Sequence, residues 1–144
     1  MALHDTQERV TGGNELEIIE FYIDEDESPE APPVRNYFGV NVAKILEVIE
    51  CPKLSTQESA VNPCFLGTIP LRDLVLPLID LSVWLKVQRR TSPFEVILIT
   101  EFNRSMTGFL VTGVTQIHRV SWADVEPPNA YLTRMESNCI TGMI

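Results

Sequence analysis

The chain is 144 residues long, 44% apolar and 22% charged, which is ordinary globular usage and enough for one domain with its own core. Its longest apolar stretch, Leu74 to Ile79, falls far short of a membrane-crossing helix, and residues 1–15 lack the apolar region of a secretory signal, so the cell interior is the expected compartment. The net charge of −9 is local: residues 15–30 hold eight acids and no Lys or Arg, the remainder is nearly neutral, and with no basic stripe neither nucleic acid nor an anionic membrane surface is an expected partner.

Residues 1–14 lack periodicity, end in Gly12-Gly13 and read as a flexible leader. Leu16, Ile18, Phe21 and Ile23 then alternate with polar residues and predict a strand. Asp24 to Arg35, with its charges and three prolines, reads as a long, mobile hairpin connection, and its acidic start, Asp24 to Ser28, as a solvated loop and an electrostatic fender against wrong partners. Tyr37 to Val42 resumes the strand pattern. From Val42 to Ile49 the apolar spacing is helical but the side chains are β-branched, which predicts a short helical turn running into a strand that ends before Pro52.

Residues 53–63 read as a polar loop. Leu66 to Ile69 and Leu74 to Ile79 are two strands around a turn at Leu71-Arg72-Asp73, and Pro77, lacking an N–H, places the second at an edge or a bulge. Asp80 and Ser82 are both suitable N-caps for a short helix through Leu85. Three more strands follow: Val96 to Thr100, Phe109 to Val111 and Val114 to Val120, the first pair joined at Asn103-Arg104-Ser105. Residues 121–138 form a polar connection and Cys139 opens another strand.

The chain also overlays on itself. An offset of 72 residues places Val42, Ile45 and Val48 on Val114, Ile117 and Val120, and an offset of 75 places Cys64 to Ile69 on Cys139 to Ile144. The first copy runs on after Ile69 through a turn, a strand and a helix, whereas the second stops at Ile144. The expectation is a fragment, or an open strand edge covered by a neighbouring molecule, a dimer included.

Few residues suggest chemistry. Cys51, Cys64 and Cys139 are odd in number and widely spaced, so they read as packing thiols and not as a disulfide or zinc framework. A calcium loop beginning at Asp24 fails because Pro29 and Arg35 stand where Gly and Glu are needed. His118 has no visible catalytic partner, and no phosphate-binding or nucleophile motif occurs. No cofactor, metal or catalytic residue is expected.

The run from Pro63 to Leu81, with Gly67, the turn Pro70-Leu71-Arg72-Asp73 and the ending Pro77-Leu78-Ile79-Asp80-Leu81, resembles the hallmark of CheW-like domains. Asp73 replaces the family's turn glycine, and Pro70 its asparagine. Tyr37 to Val42 with Glu47 downstream, and Gly108 to Val111 followed by Val114, agree, so the resemblance covers residues 15–144. The opening Asn14 to Phe21, Ile117 to Trp122 and Asn138 to Gly142 are similar to the CheV subgroup, whose members carry a C-terminal receiver domain. The resemblance implies a mainly β fold of two SH3-like five-stranded barrels packed together with short helices, the last segment of the second barrel and a receiver lying beyond Ile144.

It further implies a cytoplasmic, non-catalytic adaptor at chemoreceptor arrays, joining the helical tip of a chemoreceptor to the regulatory domain of the histidine kinase CheA. The receptor-facing positions carried over are Ile45, Glu47, Arg72 and Val114. Each has a plainer reading: Arg72 as a solvated turn residue, Glu47 as an outward strand residue, Ile45 and Val114 as core packing. Two other functions compete. One is the regulatory domain of a larger histidine kinase, which the short leader disfavours. The other is a small hydrolase using carboxylates such as Asp80 and Asp124, whose contexts give no reason for convergence.

Overall fold

Residues 15–25 bury Leu16, Ile18, Phe21 and Ile23 and leave Glu15 and Glu17 in water, and this alternation builds a long strand. The computed structural model describes residues 2–3, 15–28, 30–52, 64–126 and 140–142. The strands are β1 (Ala2–Leu3), β2 (Glu15–Glu25), β3 (Val34–Asn41), β4 (Ile45–Glu50), β5 (Phe65–Leu71), β6 (Leu74–Asp80), β7 (Val96–Phe102), β8 (Ser105–Val111), β9 (Gly113–Ser121) and β10 (Ile140–Gly142). A 3-10 turn, Val42–Lys44, precedes β4, the single-turn helix α1 (Leu81–Trp84) follows β6, and a second 3-10 turn, Trp122–Asp124, follows β9.

The strands form two five-stranded sheets, ordered β10-β1-β3-β2-β9 and β5-β6-β8-β7-β4. The fold is mainly β, as expected, and two sheets suit two SH3-like units, but the described ladders leave each sheet with two ends and do not close a barrel. β4 follows the β2–β3 hairpin yet pairs with β7, and β9 follows the β7–β8 hairpin yet pairs with β2. Each sheet therefore draws strands from both halves of the chain: β9 and β10 join the first sheet, and β4, β5 and β6 join the second.

The second sheet buries residues on both of its faces. Ile97, Ile99, Leu110, Ile69, Leu76 and Leu78 fill a core made by that sheet alone. Leu98, Phe109 and Val111, from the opposite face, join Ile19, Phe21, Ile23, Phe38 and Val40 of the first sheet in a shared core. There Phe21 and Phe38, paired across β2 and β3, stack with ring centroids 5.6 Å apart. Leu81 and Leu85 enter the same core because Asp80 caps α1, its Oδ1 accepting from the Ser82 N–H at 3.1 Å. Full burial of each such side chain is worth roughly 1.5–3 kcal/mol, so the shared core is a principal term joining the sheets.

The two sheets match in strand order and in the sense of every pair: β10–β1 and β5–β6 are antiparallel, β1–β3 and β6–β8 parallel, and the remaining pairs antiparallel. The 75-residue offset holds in register, with Gly142 opposite Ala2 where Gly67 is opposite Leu78. The 72-residue offset does not. Gly39 and Gly108 occupy matching places, as do Ile45 and Val114, an offset of 69. Spaced β-branched residues match at several offsets, and only the ladder selects one.

Several local expectations change. Ala2 and Leu3 of the leader lie in a strand, while residues 4–14, the 53–63 loop and Cys139 lie outside the described residues. The hairpin connection shortens to residues 26–33, because Asp24 pairs with Arg35 and Glu25 with Val34. Arg35 donates to Asp24 at 2.9 and 3.2 Å and stacks 3.8 Å over the Tyr22 ring, so charges that read as a loop form a cross-strand tie. The acidic stretch is not wholly solvated: Asp24 and Asp26 are ion-paired, the latter to Arg90 at 2.6 Å, and Glu25 is buried, while Glu27 is exposed. β6 is an inner strand, not an edge. Pro77 is tolerated because the ladder to β8 begins only at Leu78.

Arg89 sits in the linker before β7 and is nearly buried between two acids. Its Nη2 donates to Asp80 Oδ2 at 3.3 Å and its Nη1 to Glu95. Burial pushes the Glu95 carboxyl above its ordinary pKa, and Arg89 partly offsets this. Arg89→Met removes the one cation between two buried carboxylates and is expected to cost about 3–5 kcal/mol in urea unfolding at neutral pH. A folded-state pKa above the unfolded one means stability rises as pH falls through that window, so the deficit should shrink toward acidic pH.

Candidate functional site

Asn41 ends β3 and its side chain accepts from the Ala43 N–H at 2.9 Å, capping the 3-10 turn that launches β4. Ile45 is the first residue of β4 and pairs with Thr100. The ladder then skips Leu46 before Glu47 pairs with Ile99, so a β-bulge lies between the two candidate residues. A bulge bends its strand and re-aims the side chains that follow. Ile45 is half-buried and packs on the shared core, while Glu47 turns toward solvent.

Arg72 lies in the two-residue turn between β5 and β6, flanked by the Leu71–Leu74 pair, at φ 56. Asp73, in the place of the family's glycine, is not at positive φ, so the turn closes without one. The cost falls on Arg72, a non-glycine residue in the left-handed region. Its Nη2 stands 4.0 Å from Glu47 Oε2, with the two side chains 83% and 39% exposed. Such a pair contributes about 0–1 kcal/mol, so little holds the guanidinium away from an incoming carboxylate. Because β4 and β5 are opposite ends of one sheet, this pair brings the two ends together.

Val114, on β9, pairs with Phe21 and also precedes a bulge, since the ladder resumes at Ile117 and Ile19. It is half-buried against the shared core, as Ile45 is. The structure thus brings Glu47 to Arg72, and it relates Ile45 to Val114 as equivalent positions of the two sheets with the same core beneath them. Core packing, the plainer reading, describes much of what both side chains do.

Four apolar residues the sequence did not single out flank the pair. Leu46 and Val48 on β4 and Leu74 and Val75 on β6 are exposed, Val75 at 69%. Their signal was available: apolar residues beside a charged turn, in excess of what one face can bury. Exposed apolar side chains rimmed by a few charges suit protein recognition. The carboxylates of the hydrolase reading have other work: Asp80 caps α1 and binds Arg89, and Asp124 is exposed in the 3-10 turn after β9. No cluster suited to a metal occurs among the described residues.

Thr115 stands in the β9 bulge and its hydroxyl donates to the Glu20 carboxylate, which also lies 3.2 Å from His118 Nε2. The Thr115 hydrogen bond, chiefly, with His118 behind it, holds Glu20 below its ordinary pKa. At neutral pH the ionised Glu20 therefore favours the fold, and that contribution is lost as pH falls through the lowered value. Thr115→Val should move the Glu20 titration up toward the ordinary carboxylate range, read by carboxyl-carbon NMR.

A model of the CheW-like domain family matches residues 34–144. A curated relative, chemotaxis protein CheV3 of Helicobacter pylori, is 35% identical over 116 residues, 79% of this chain but 36% of its own length, so the chain spans about a third of that protein. The crystal structure of the scaffolding protein TtCheW from Thermoanaerobacter tengcongensis superposes with a TM-score of 0.70 at 20% identity, covering 96% of this chain and 81% of the other, a likeness of fold.

Proposed function

Since the chain belongs to the CheW-like domain family, we propose that it is a non-catalytic adaptor that couples chemoreceptors to the chemotaxis histidine kinase. The carrying observation is the exposed Arg72–Glu47 pair, set among Leu46, Val48, Leu74 and Val75 where two sheet ends meet. A helical receptor tip offers apolar ridges and surface carboxylates, and this surface offers apolar contacts with a weakly held guanidinium. Ile45 and Val114, half-buried over the shared core, belong to the same proposal as further receptor-facing positions. CheA's regulatory domain, itself a CheW-like unit, is the second partner, and the working location is the cytoplasmic face of receptor arrays. A CheV-type organisation, with a receiver domain C-terminal to this one, belongs to the same proposal.

Recognition by these residues demands charge complementarity at Arg72. Arg72→Glu should reduce co-sedimentation with receptor arrays at least tenfold while circular dichroism and unfolding stay unchanged. Pull-downs scored separately against receptor fragments and kinase discriminate the readings: a folded mutant that keeps receptor binding overturns this site, and binding to receptor-free kinase alone overturns the coupling role.

A further inference from the structure

The hairpin of β5 and β6 outruns its sheet. The ladder from β6 to β8 begins only at Leu78, so residues 74–77 are laddered to β5 alone, and the turn Arg72-Asp73 stands at the projecting end. Arg72, Asp73, Leu74 and Val75 are all exposed. Successive strand residues point to opposite faces, so with Leu74 and Val75 both in water the tip is open on each side.

The turn gives its two central residues different work. Arg72 has φ 56 and Asp73 is not at positive φ, the sign pattern of a type II′ turn, which favours glycine first and makes no such demand of the second residue. Backbone geometry therefore does not call for an acid at position 73. Nor does a local contact: among the described residues no hydrogen bond or ion pair engages Asp73, and the ion-pair contact of Arg72 is with Glu47. Asp73 is a free carboxylate at the end of a projecting hairpin.

That carboxylate changes what the surface can bind. A partner acid that reaches Arg72 also meets Asp73 beside it and Glu47, whose Oε2 is 4.0 Å from the guanidinium. Closing the interface strips water from these groups, and an unpaired acid left facing the partner's acid is strongly unfavourable. A well-matched partner brings a cation as well. On a helix, side chains three or four positions apart lie about 5–6 Å apart, a spacing that neighbouring turn residues can match.

Resting on the receptor-docking reading of this surface, we propose that Asp73 is a specificity-determining residue. The tip admits helical segments that carry an acid for Arg72 and a base for Asp73 one turn apart, and turns away segments that carry the acid alone. Leu74 and Val75 take the apolar side chains beside that pair. Selection comes from the penalty on the mismatched segment as much as from the added pair.

The test is calorimetric binding of the 144-residue protein to a soluble helical-hairpin fragment of a receptor tip. Each Lys and Arg of the fragment is changed in turn to Gln. One such change should weaken binding to the wild-type protein about tenfold and binding to Asp73→Asn less than about twofold, and the difference should shrink in ~1 M salt. Asp73→Lys should lose the native fragment and regain one in which that same base has become Glu. If Asp73→Asn fails to fold, Asp73→Gly serves in its place, being the residue the family carries in this turn. Equal weakening of wild type and variant by every base change, or a uniform gain in affinity of Asp73→Asn for all fragments, overturns the inference and leaves the role of Arg72 standing. Binding retained by Arg72→Glu is a separate result, which overturns the docking reading and this inference with it.

Discussion

The building of each sheet from both halves of the chain is the constraint on which the rest of the structure depends. A sheet that contained only its own half of the chain could separate from its neighbour by breaking side-chain contacts alone. Here β4–β7, β6–β8, β2–β9 and β1–β10 join the two halves of the chain, so pulling the halves apart would break four ladders as well as the shared core. Ladder bonds and apolar burial are lost together, the condition for one cooperative unit.

That constraint also places the candidate surface. Ile45 and Val114 stand at the entry of β4 and β9, each one step before a bulge, and each has its inner side in the core common to both sheets. Glu47 emerges from one bulge toward Arg72, and Thr115 from the other toward Glu20. Along β4, Ile45 and Ile49 pack on the cores while Leu46, Val48 and Glu50 stay exposed. A recognition surface and a packed core can therefore share one strand.

The charges divide into two kinds. Arg89 between Asp80 and Glu95, and Arg90 with Asp26, tie the linker to the ends of both sheets, where burial makes the geometry matter. Arg72 is almost wholly exposed and barely paired, so its charge contributes little to the fold. A cation that stability does not require is one that recognition can use.

Alternation and turn chemistry, both local, made most strands legible from the residues alone: β2, the β5–β6 hairpin, the Asp80 cap and the β7–β8 hairpin with Asn103 and Arg104 at its tip all follow from their own side chains. The hallmark around Arg72 was likewise legible, as was the 75-residue echo that the ladder reproduces. The partners of each strand were not. Asp24 and Arg35 looked like loop charges until pairing set them side by side, and Pro77 looked like an edge until β8 began its ladder one residue later. Which strand neighbours which depends on contacts between residues far apart in sequence, and no local pattern encodes them. For that reason tertiary structure alone decided the 69-residue register, the pairing of β4 with β7 and of β9 with β2, and the place beside β3 that Ala2 and Leu3 occupy.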